Sequence, residues 1–288
     1  MNNIEAKQDN WTEVITPRPH VFYINFRELW EYRDLLLLFV KRDFASQYRQ
    51  TVLGPLWHIV QPLLTMFMFL ILFNRLAHIP TDGLPADVFY MGGIVIWSYF
   101  SACFTGTSTT FVSNASIFGK VYFPRLIMPL SVVTSNLIRF AIQFLLLLSV
   151  MAVSAIKGEY KFHVGWHTLL IPLVLFFMAV ISLGTGIIIS SLTTKYRDLS
   201  VLVSFGIQLL MYVVPVAYSL AYAEKKGYRT LIVLNPLSSL IETFRYAVLG
   251  KGTLDFGLLL YACICSVIIL FIGILVFNQV EKSFMDTV

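Results

Sequence analysis

Charged side chains are scarce in this sequence. Only 13% of its 288 residues are Asp, Glu, Lys or Arg, while 57% are apolar and 15% aromatic, whereas an average soluble domain is about 25% charged. This scarcity excludes an ordinary soluble domain. A membrane-spanning helix needs roughly 20 mostly apolar residues, so about six such helices fit and leave residues for loops and a surface segment. The composition predicts one all-α integral membrane domain.

Cysteine is rare, and the first 20 residues contain no apolar run. Cys103, Cys263 and Cys265 all lie within apolar stretches. The C-x-C spacing of the last two is not the C-x-x-C of a metal site, so we interpret all three as packing residues. Residues 1–20 lack the apolar core of a cleavable signal peptide. We therefore expect them to form a polar tail that stays in the cytoplasm.

Catalytic and nucleotide-binding motifs are missing from the sequence. There is no H-E-x-x-H, no G-x-S-x-G and no G-x-x-x-x-G-K-[ST]. We expect this chain to hold no catalytic residue, no metal and no cofactor, so any ATP is bound by another chain. The net charge of +5 is interleaved with acidic residues rather than collected in one tract. This pattern suits anionic lipids and positive-inside topology, not nucleic acid.

Residues 21–53 have the periodicity of an amphipathic helix. Leu37, Val40, Phe44 and Tyr48 recur at three- and four-residue spacings, and basic residues fall elsewhere around the helix. The apolar run within this segment is too short to cross a membrane. We expect a basic helix lying in the cytoplasmic interface. The alternative is a soluble helix packed against a partner.

Six apolar segments follow. Gly54-Pro55 ends the amphipathic helix and starts the first span, because proline is favourable in a first helical turn. The spans are predicted at about 55–73, 88–111, 127–156, 168–192, 199–220 and 257–277 within a domain of residues 54–280, followed by a cytoplasmic tail at 281–288. Six spans put both termini on one side. Lys and Arg are more frequent on that side, which predicts that both termini are cytoplasmic.

The segment between the last two predicted spans is apolar but interrupted. Asn235 suits a helix N-cap with Pro236 at the first helical position, and Ser239 with Glu242 matches a capping box. We interpret this segment, which also contains Arg245, as two short outer helices that enter the membrane and return. Such backbone is stable only against protein or a water-filled cavity. A seventh span is the alternative.

Hydroxyl and small residues are concentrated in two spans. The second carries Ser98, Ala102, Gly106 and Thr110 at intervals of four, and the fourth carries Ser182, Gly186 and Ser190. Such stripes let helices approach closely. Seven Ser and Thr residues between positions 98 and 110 exceed what one packing stripe needs. We therefore keep two readings open, helix packing and an aqueous path that includes Thr105 and Ser108.

Aromatic residues gather in the second span, and we place them at its outer end. They are Phe89, Tyr90, Trp97, Tyr99, Phe100 and Phe104. They form either an interfacial belt facing lipid or a lining on which the apolar faces of sugar rings slide.

Arg139 is a charged residue within the third span, with Asn136 and Gln143 on about the same helix face. It either snorkels or pairs within the bundle, or it binds an anionic headgroup. Arg42 is assigned the same two alternatives, structural or headgroup-binding.

From Lys41 to Gly250 the chain resembles the membrane subunits of type-2 ABC exporters for lipid-linked polysaccharides, the O-antigen, capsule and teichoic-acid permeases of the Wzm kind. The resemblance depends on a set of motifs in order: Arg42-Asp43 with Tyr48, Thr51-Val52-Leu53-Gly54-Pro55-Leu56-Trp57, Gln61-Pro62, Lys120-Val121-Tyr122-Phe123-Pro124-Arg125, Tyr196-Arg197-Asp198, Asn235-Pro236 and Phe244-Arg245.

The resemblance implies a homodimeric channel in the bacterial inner membrane that carries a polymer on a polyprenyl diphosphate. It also implies two ATPase subunits that bind ATP and Mg²⁺ at the cytoplasmic face. The connection Asn114–Pro129 then contains the coupling helix that docks into the ATPase. Its expected docking residues are Asn114, Ile117, Phe118, Lys120, Val121, Tyr122, Pro124 and Arg125. The competing functions are a membrane transferase for lipid-linked glycans and a pore or scaffold without ATP coupling.

Overall fold

The computed structural model describes residues 26–48, 51–118, 120–121, 123–163, 165–196, 198–252 and 254–283. Every regular element in these ranges is helical, which confirms the all-α prediction. The predicted tails at 1–20 and 284–288 lie outside the described residues, as do residues 21–25. The α-helices are α1 (Phe26–Glu31), α2 (Arg33–Tyr48), α3 (Trp57–Phe69), α4 (Ala86–Ser108), α5 (Thr110–Ser113), α6 (Ala115–Phe118), α7 (Ile127–Ile156), α8 (Leu170–Lys195), α9 (Leu199–Val213), α10 (Leu220–Lys225), α11 (Arg229–Val233), α12 (Pro236–Leu249) and α13 (Phe256–Ser283).

Five helical segments are long and apolar enough to cross a membrane. They are Gly54–Leu76, which joins α3 to the short helical turns on either side, Ala86–Ser108, Ile127–Ile156, Trp166–Thr193 and Phe256–Gln279. Each overlaps a predicted span. The protein is therefore a multi-pass membrane protein.

Helix α9 is shorter than the fifth predicted span. It ends at Val213 rather than near Leu220. The cause is Pro215, since the ring of a proline forces the preceding residue out of the helical region. Val214 accordingly adopts φ −86° and ψ 145°, an extended conformation.

The amino-terminal helix α2 packs along α7. It buries Phe39 and Val40, whereas Leu37 and Leu38 are exposed. Of the predicted apolar face, Val40 is buried and Phe44 and Tyr48 are half-buried, whereas Leu37 is exposed and does not belong to it. The buried face is set by Phe39, whose ring joins an aromatic cluster beneath the loop between α4 and α7.

The segment between α9 and α13 forms three short helices, α10, α11 and α12. Asn235 caps α12 by accepting a hydrogen bond from the Leu237 N–H at 3.0 Å, with Pro236 in the first turn. Both features match the predicted N-cap. The 14-residue α12 is about 21 Å long and is not among the helices of spanning length.

Helix α4 is the most deeply buried of the five long segments and contacts α7, α8 and α12. The α3 segment is the least buried. Together with α9, it exposes most of its large apolar side chains, including Phe67, Met68, Phe205 and Tyr212. Both helices therefore present apolar surface to the outside of the bundle.

Candidate functional site

A cavity of about 430 Å³ opens between α3, α4 and α7, with contributions from the ends of α2 and α9. Most of its lining side chains carry a hydroxyl, an amide or another polar group, which is unusual inside an apolar bundle. The lining residues are Gln47, His58, Gln61, Pro62, Thr65, Ile94, Trp97, Ser98, Tyr99, Ser101, Ala102, Thr105, Asn136, Arg139, Phe140, Gln143 and Met211.

The hydroxyl residues of α4 divide between two faces. Ser98, Ser101 and Thr105 line the cavity. Thr107 and Ser108, by contrast, are buried, as is Thr110 at the start of α5. The two readings of the α4 stripe thus apply to different faces of one helix.

Helix α8 approaches α4 closely along its own small-residue stripe. A Cβ atom added at Gly186 lies 2.6 Å from Thr107 Cβ, so only glycine allows this approach. Thr193 Oγ1 then donates to the Ser108 carbonyl at 3.1 Å. This side of α4 is a packing face.

Of the aromatic residues predicted at the outer end of α4, Phe89 and Tyr90 lie near its amino terminus, whereas the other four lie further along the helix. Trp97 is the middle residue of Ala86–Ser108, and Trp97, Tyr99 and Phe100 are buried in protein. The lipid-facing alternative is therefore wrong for these three. Trp97 and Tyr99 line the cavity, whereas Phe100 and Phe104 are not among its lining residues and stack on each other with centroids 5.9 Å apart.

The polar positions of α3 were missed from the sequence. His58, Gln61 and Thr65 all line the cavity. Their spacing of three and four residues puts them on one face of a helix. A polar stripe of this kind within an apolar span is the signal that identifies them.

Four polar side chains from three helices meet where α2 reaches the cavity. We call them the mouth cluster: Gln47, Tyr48, His58 and Arg139. Arg139 donates to Gln47 Oε1, and the Tyr48 hydroxyl lies 2.6 Å from His58 Nε2. Burial raises the pKa of the Tyr48 hydroxyl, and the nearby Arg139 charge opposes that shift only in part. The phenol is therefore protonated at neutral pH.

Arg42 does not belong to the mouth cluster. Its Nη2 lies 2.8 Å from Asp43 Oδ1, and its guanidinium lies 4.7 Å from the centroid of the Phe39 ring. These contacts occupy its charge and its flat face, so the geometry favours the structural alternative for Arg42.

The α4–α7 loop folds back on its own chain. Phe118 is 7% exposed and stacks on Phe123, with centroids 5.7 Å apart. The Arg125 guanidinium lies over the Phe118 ring, and Pro124 is also buried. The expected single docking face is therefore wrong in part, because Phe118 points into the bundle.

Other expected docking residues of this loop are more accessible. Val121 is 58% exposed, Lys120 is exposed, and Asn114 and Ile117 are half-buried. Tyr122 lies outside the described residues. The exposed surface of the loop thus includes Lys120, Val121 and Val112.

At the other end of the bundle, α12 carries a buried ion pair. Arg245 Nη1 lies 3.2 Å from Glu242 Oε2, and the side chains are 2% and 7% exposed. Arg245 Nη2 also donates to the carbonyls of Pro215 at 2.8 Å and Val216 at 3.1 Å. Glu242 Oε1 accepts from the Leu220 N–H at 2.6 Å. We call the pair and segment 215–220 the clasp.

The contacts of the clasp correct the predicted role of Glu242 and explain why position 93 is a glycine. Glu242 was assigned to a capping box with Ser239, but its carboxylate binds the Leu220 N–H and Arg245 instead. A Cβ atom at Gly93 lies 2.7 Å from the Val216 carbonyl oxygen. Helix α4 therefore approaches the clasp at a position that only glycine fits.

Residues 34–249 match the model of the ABC-2 type transporter family. The chain belongs to this family. Its five apolar helices of membrane-spanning length agree with the assignment. An ABC-2 type permease is a transporter subunit rather than an enzyme.

Several transport proteins are similar to this ABC-2 permease over most of their length. The O-antigen export system permease protein RfbA of Klebsiella pneumoniae is 28% identical over 88% of this chain and 94% of its own. The protein of the same name from Myxococcus xanthus is 27% identical over 91% and 98%. The polysialic acid transport protein KpsM of Escherichia coli is 22% identical over 85% and 93%.

Proposed function

We propose that this ABC-2 permease is the channel-forming subunit of an ATP-driven exporter that moves polyprenyl-diphosphate-linked polysaccharide, most simply an O-antigen, across the bacterial inner membrane. The observation that carries the proposal is the polar cavity inside the apolar bundle. Relatives that match most of the chain are named for O-antigen export and for polysialic acid transport, which supports a polysaccharide as the substrate.

The lining of the cavity suits a sugar chain. Ser98, Ser101 and Thr105 offer hydroxyls that exchange hydrogen bonds with sugar hydroxyls. Trp97 and Tyr99 offer ring faces to the apolar C–H faces of the sugar. Neither interaction depends on one fixed geometry, so successive sugars can pass. Such a lining holds a moving polymer weakly along its length.

A second copy of the chain completes the path in this proposal. One subunit encloses only about 430 Å³, a volume typical of a small-molecule pocket rather than of a polymer channel. The exposed apolar side chains of α3 and α9 supply a surface for the second subunit beside the cavity. Membrane lipids cover the remaining apolar surface.

We infer a six-span topology in which α9 is the fifth crossing. Its 15 residues reach about 22 Å, and the extended segment that follows is buried against α12 and α4. Val214 and Val216 are fully buried, and Arg245 satisfies two of the carbonyls. This agrees with the rule that non-helical backbone at membrane depth must be covered by protein. Helices α10 to α12 are then the outer re-entrant elements, and both termini are cytoplasmic.

ATP and Mg²⁺ bind to a separate subunit in this proposal. The α4–α7 loop lies on the same side as α2 and therefore faces the cytoplasm. Its exposed residues, Val112, Lys120 and Val121, offer an apolar surface with one positive charge. That surface supports docking of two ATPase subunits, one on each copy of the permease.

Export by the complete transporter tests this function. The permease and its ATPase are expressed in a strain lacking its own O-antigen permease, and surface polysaccharide is quantified. We expect ATPase-dependent export, and we expect Trp97→Ala combined with Tyr99→Ala to lower it about tenfold, since each aromatic contact contributes about 0.5 to 1.5 kcal/mol. The matched control is Trp166→Ala, an exposed aromatic outside the cavity. Undiminished export by the double variant at equal protein levels would show that the cavity is not part of the transport path.

A further inference from the structure

The mouth cluster contains one cation, Arg139, that forms no ion pair with the residues that the structure describes. Arg139 is half-buried, and its observed hydrogen-bond acceptor is the neutral side chain of Gln47. Among the described residues, Arg139 has no carboxylate within ion-pair distance. Asp43 lies close enough to interact electrostatically, but its carboxylate is bound by Arg42 at 2.8 Å. Pairing within the bundle, one of the structural alternatives for Arg139, therefore leaves its charge without a carboxylate partner among the described residues.

A half-buried positive charge among neutral dipoles favours an anion. Removing a charge from water is costly unless an opposite charge compensates for it. A guanidinium presents paired N–H donors whose geometry matches two oxygens of a phosphate. The anion best suited to Arg139 is therefore a phosphate-type oxyanion.

The neighbouring side chains add polar groups to the same part of the cavity. His58 and Gln61 line it together with Arg139, and the Tyr48 hydroxyl lies behind them, 2.6 Å from His58 Nε2. The cavity, at about 430 Å³, lies in the range of small-molecule sites, about 300 to 1,000 Å³. A diphosphate therefore fits with room for the first sugar.

The surface beside the mouth cluster is apolar. Leu53, Leu56 and Trp57 are exposed where α3 begins, directly before His58 in the chain. An isoprenoid tail can lie against these side chains while its headgroup occupies the cavity. This juxtaposition favours a lipid-linked anion over a free one.

We propose that Arg139, with Gln47, Tyr48 and His58, binds the diphosphate that joins the polyprenyl carrier to the polysaccharide. The inference rests on the proposed function, because it assigns the reducing end of that substrate to one end of the same cavity. Arg139 holds the diphosphate at the mouth while the sugars extend along Ser98, Trp97 and Thr105.

A direct binding assay tests the site without any transport step. The purified permease in nanodiscs of uncharged phosphatidylcholine is titrated with a polyprenyl diphosphate, with the corresponding polyprenol, and with inorganic diphosphate. We expect the polyprenyl diphosphate to bind at least tenfold more tightly than the polyprenol, about 1.4 kcal/mol. We expect inorganic diphosphate to compete only weakly. Equal binding of diphosphate and polyprenol overturns the proposal, and displacement by inorganic diphosphate at equal affinity overturns the lipid-linked assignment.

Variants identify the residue responsible. Arg139→Gln is expected to lose the tenfold preference, and Arg139→Lys to retain part of it, since lysine keeps the charge but not the paired donors. Arg33→Gln, on the exposed surface of α2, removes the same charge elsewhere and is expected to bind as the wild type does. Wild-type preference in Arg139→Gln refutes the site. If Arg139→Gln fails to fold, unchanged preference in Arg139→Lys together with Tyr48→Phe refutes it instead.

The binding assay and the export assay distinguish failure of this site from failure of the proposed function. A selective diphosphate site in a protein that exports nothing would contradict the transport proposal and leave the site standing. Normal polysaccharide export together with binding that ignores Arg139 would do the reverse.

Discussion

Removing Arg245 should destabilise the protein more than removing any exposed charge. Arg245 makes three hydrogen bonds, to Glu242, Pro215 and Val216, and its guanidinium lies 4.0 Å from the centroid of the Phe89 ring. Methionine fills a similar volume but makes none of these bonds. Two buried carbonyls and one buried carboxylate then lose their donor. Breaking a buried ion pair in this way costs about 3 to 5 kcal/mol.

Substitutions at Glu242 should destabilise the protein less than Arg245→Met does. Glu242→Gln keeps an oxygen that accepts from the Leu220 N–H but loses the charge that balances Arg245. We expect a smaller loss, about 1 to 3 kcal/mol. The double variant Arg245→Met with Glu242→Gln should lose less than the sum, because no unpaired charge remains buried.

Thermal unfolding in detergent measures these losses. Cys103 is fully buried, so the rate at which a thiol-reactive dye labels it during heating reports unfolding, with Cys263 and Cys265 replaced by alanine. Arg245→Met should lower the midpoint on the order of 10 °C. The control is Arg229→Gln, which breaks an ion pair that is about half exposed and should cost about 0 to 1 kcal/mol. Equal unfolding midpoints for these two variants would refute the stabilising role of the clasp.

Two further predictions concern topology and docking. A cysteine at Lys225 should react with an impermeant thiol reagent from outside intact cells, and a cysteine at Lys120 should not. Both positions are exposed but lie on opposite faces of the membrane in the six-span topology. The reverse labelling pattern would contradict that topology. Val121→Asp should reduce co-purification of the ATPase more than tenfold, about 1.4 kcal/mol, without changing the unfolding midpoint. Phe118→Ala should instead lower the unfolding midpoint, because removing a buried phenylalanine costs about 3 to 5 kcal/mol. Full ATPase recruitment by Val121→Asp would show that the exposed surface around Val121 is not the docking site.

Sequence patterns predicted the parts of the fold that local physics controls. The third long segment was expected at 127–156 and is observed as Ile127–Ile156. Its apolar composition and length determine it without reference to any neighbour. The cap at Asn235 followed by Pro236 is equally local, because the side chain of one residue binds a backbone N–H two positions later. Such features need only a few adjacent residues.

The features that were missed depend on contacts between distant segments. Glu242 was assigned to a local cap, but its carboxylate binds Leu220, 22 positions earlier. Phe118 was assigned to a docking surface, but its ring packs against Phe123 and a cluster that includes Phe39 of α2. Sequence periodicity says that a side chain is apolar without saying which neighbour covers it. Partner assignment therefore required the structure.

One error had a local cause that the sequence did contain. The fifth span was extended to residue 220 although Pro215 lies within it. The restriction that proline places on the preceding residue already predicts an end at Val213 or Val214. The predicted span followed the apolar composition beyond this proline, whereas the helix in the structure ends at Val213.

The length of α7 gives the molecule a mechanical connection between its two faces. Its 30 residues form a rod of about 45 Å, longer than the roughly 30 Å hydrocarbon core. At one end, Ile127 and Met128 pack into the cluster beneath the α4–α7 loop. Just beyond the other end, the Tyr160 hydroxyl donates to the Leu249 carbonyl at the end of α12. A tilt of about 5° imposed at the loop displaces the far end of such a lever by about 4 Å, a shift large enough to alter the packing of the outer helices directly.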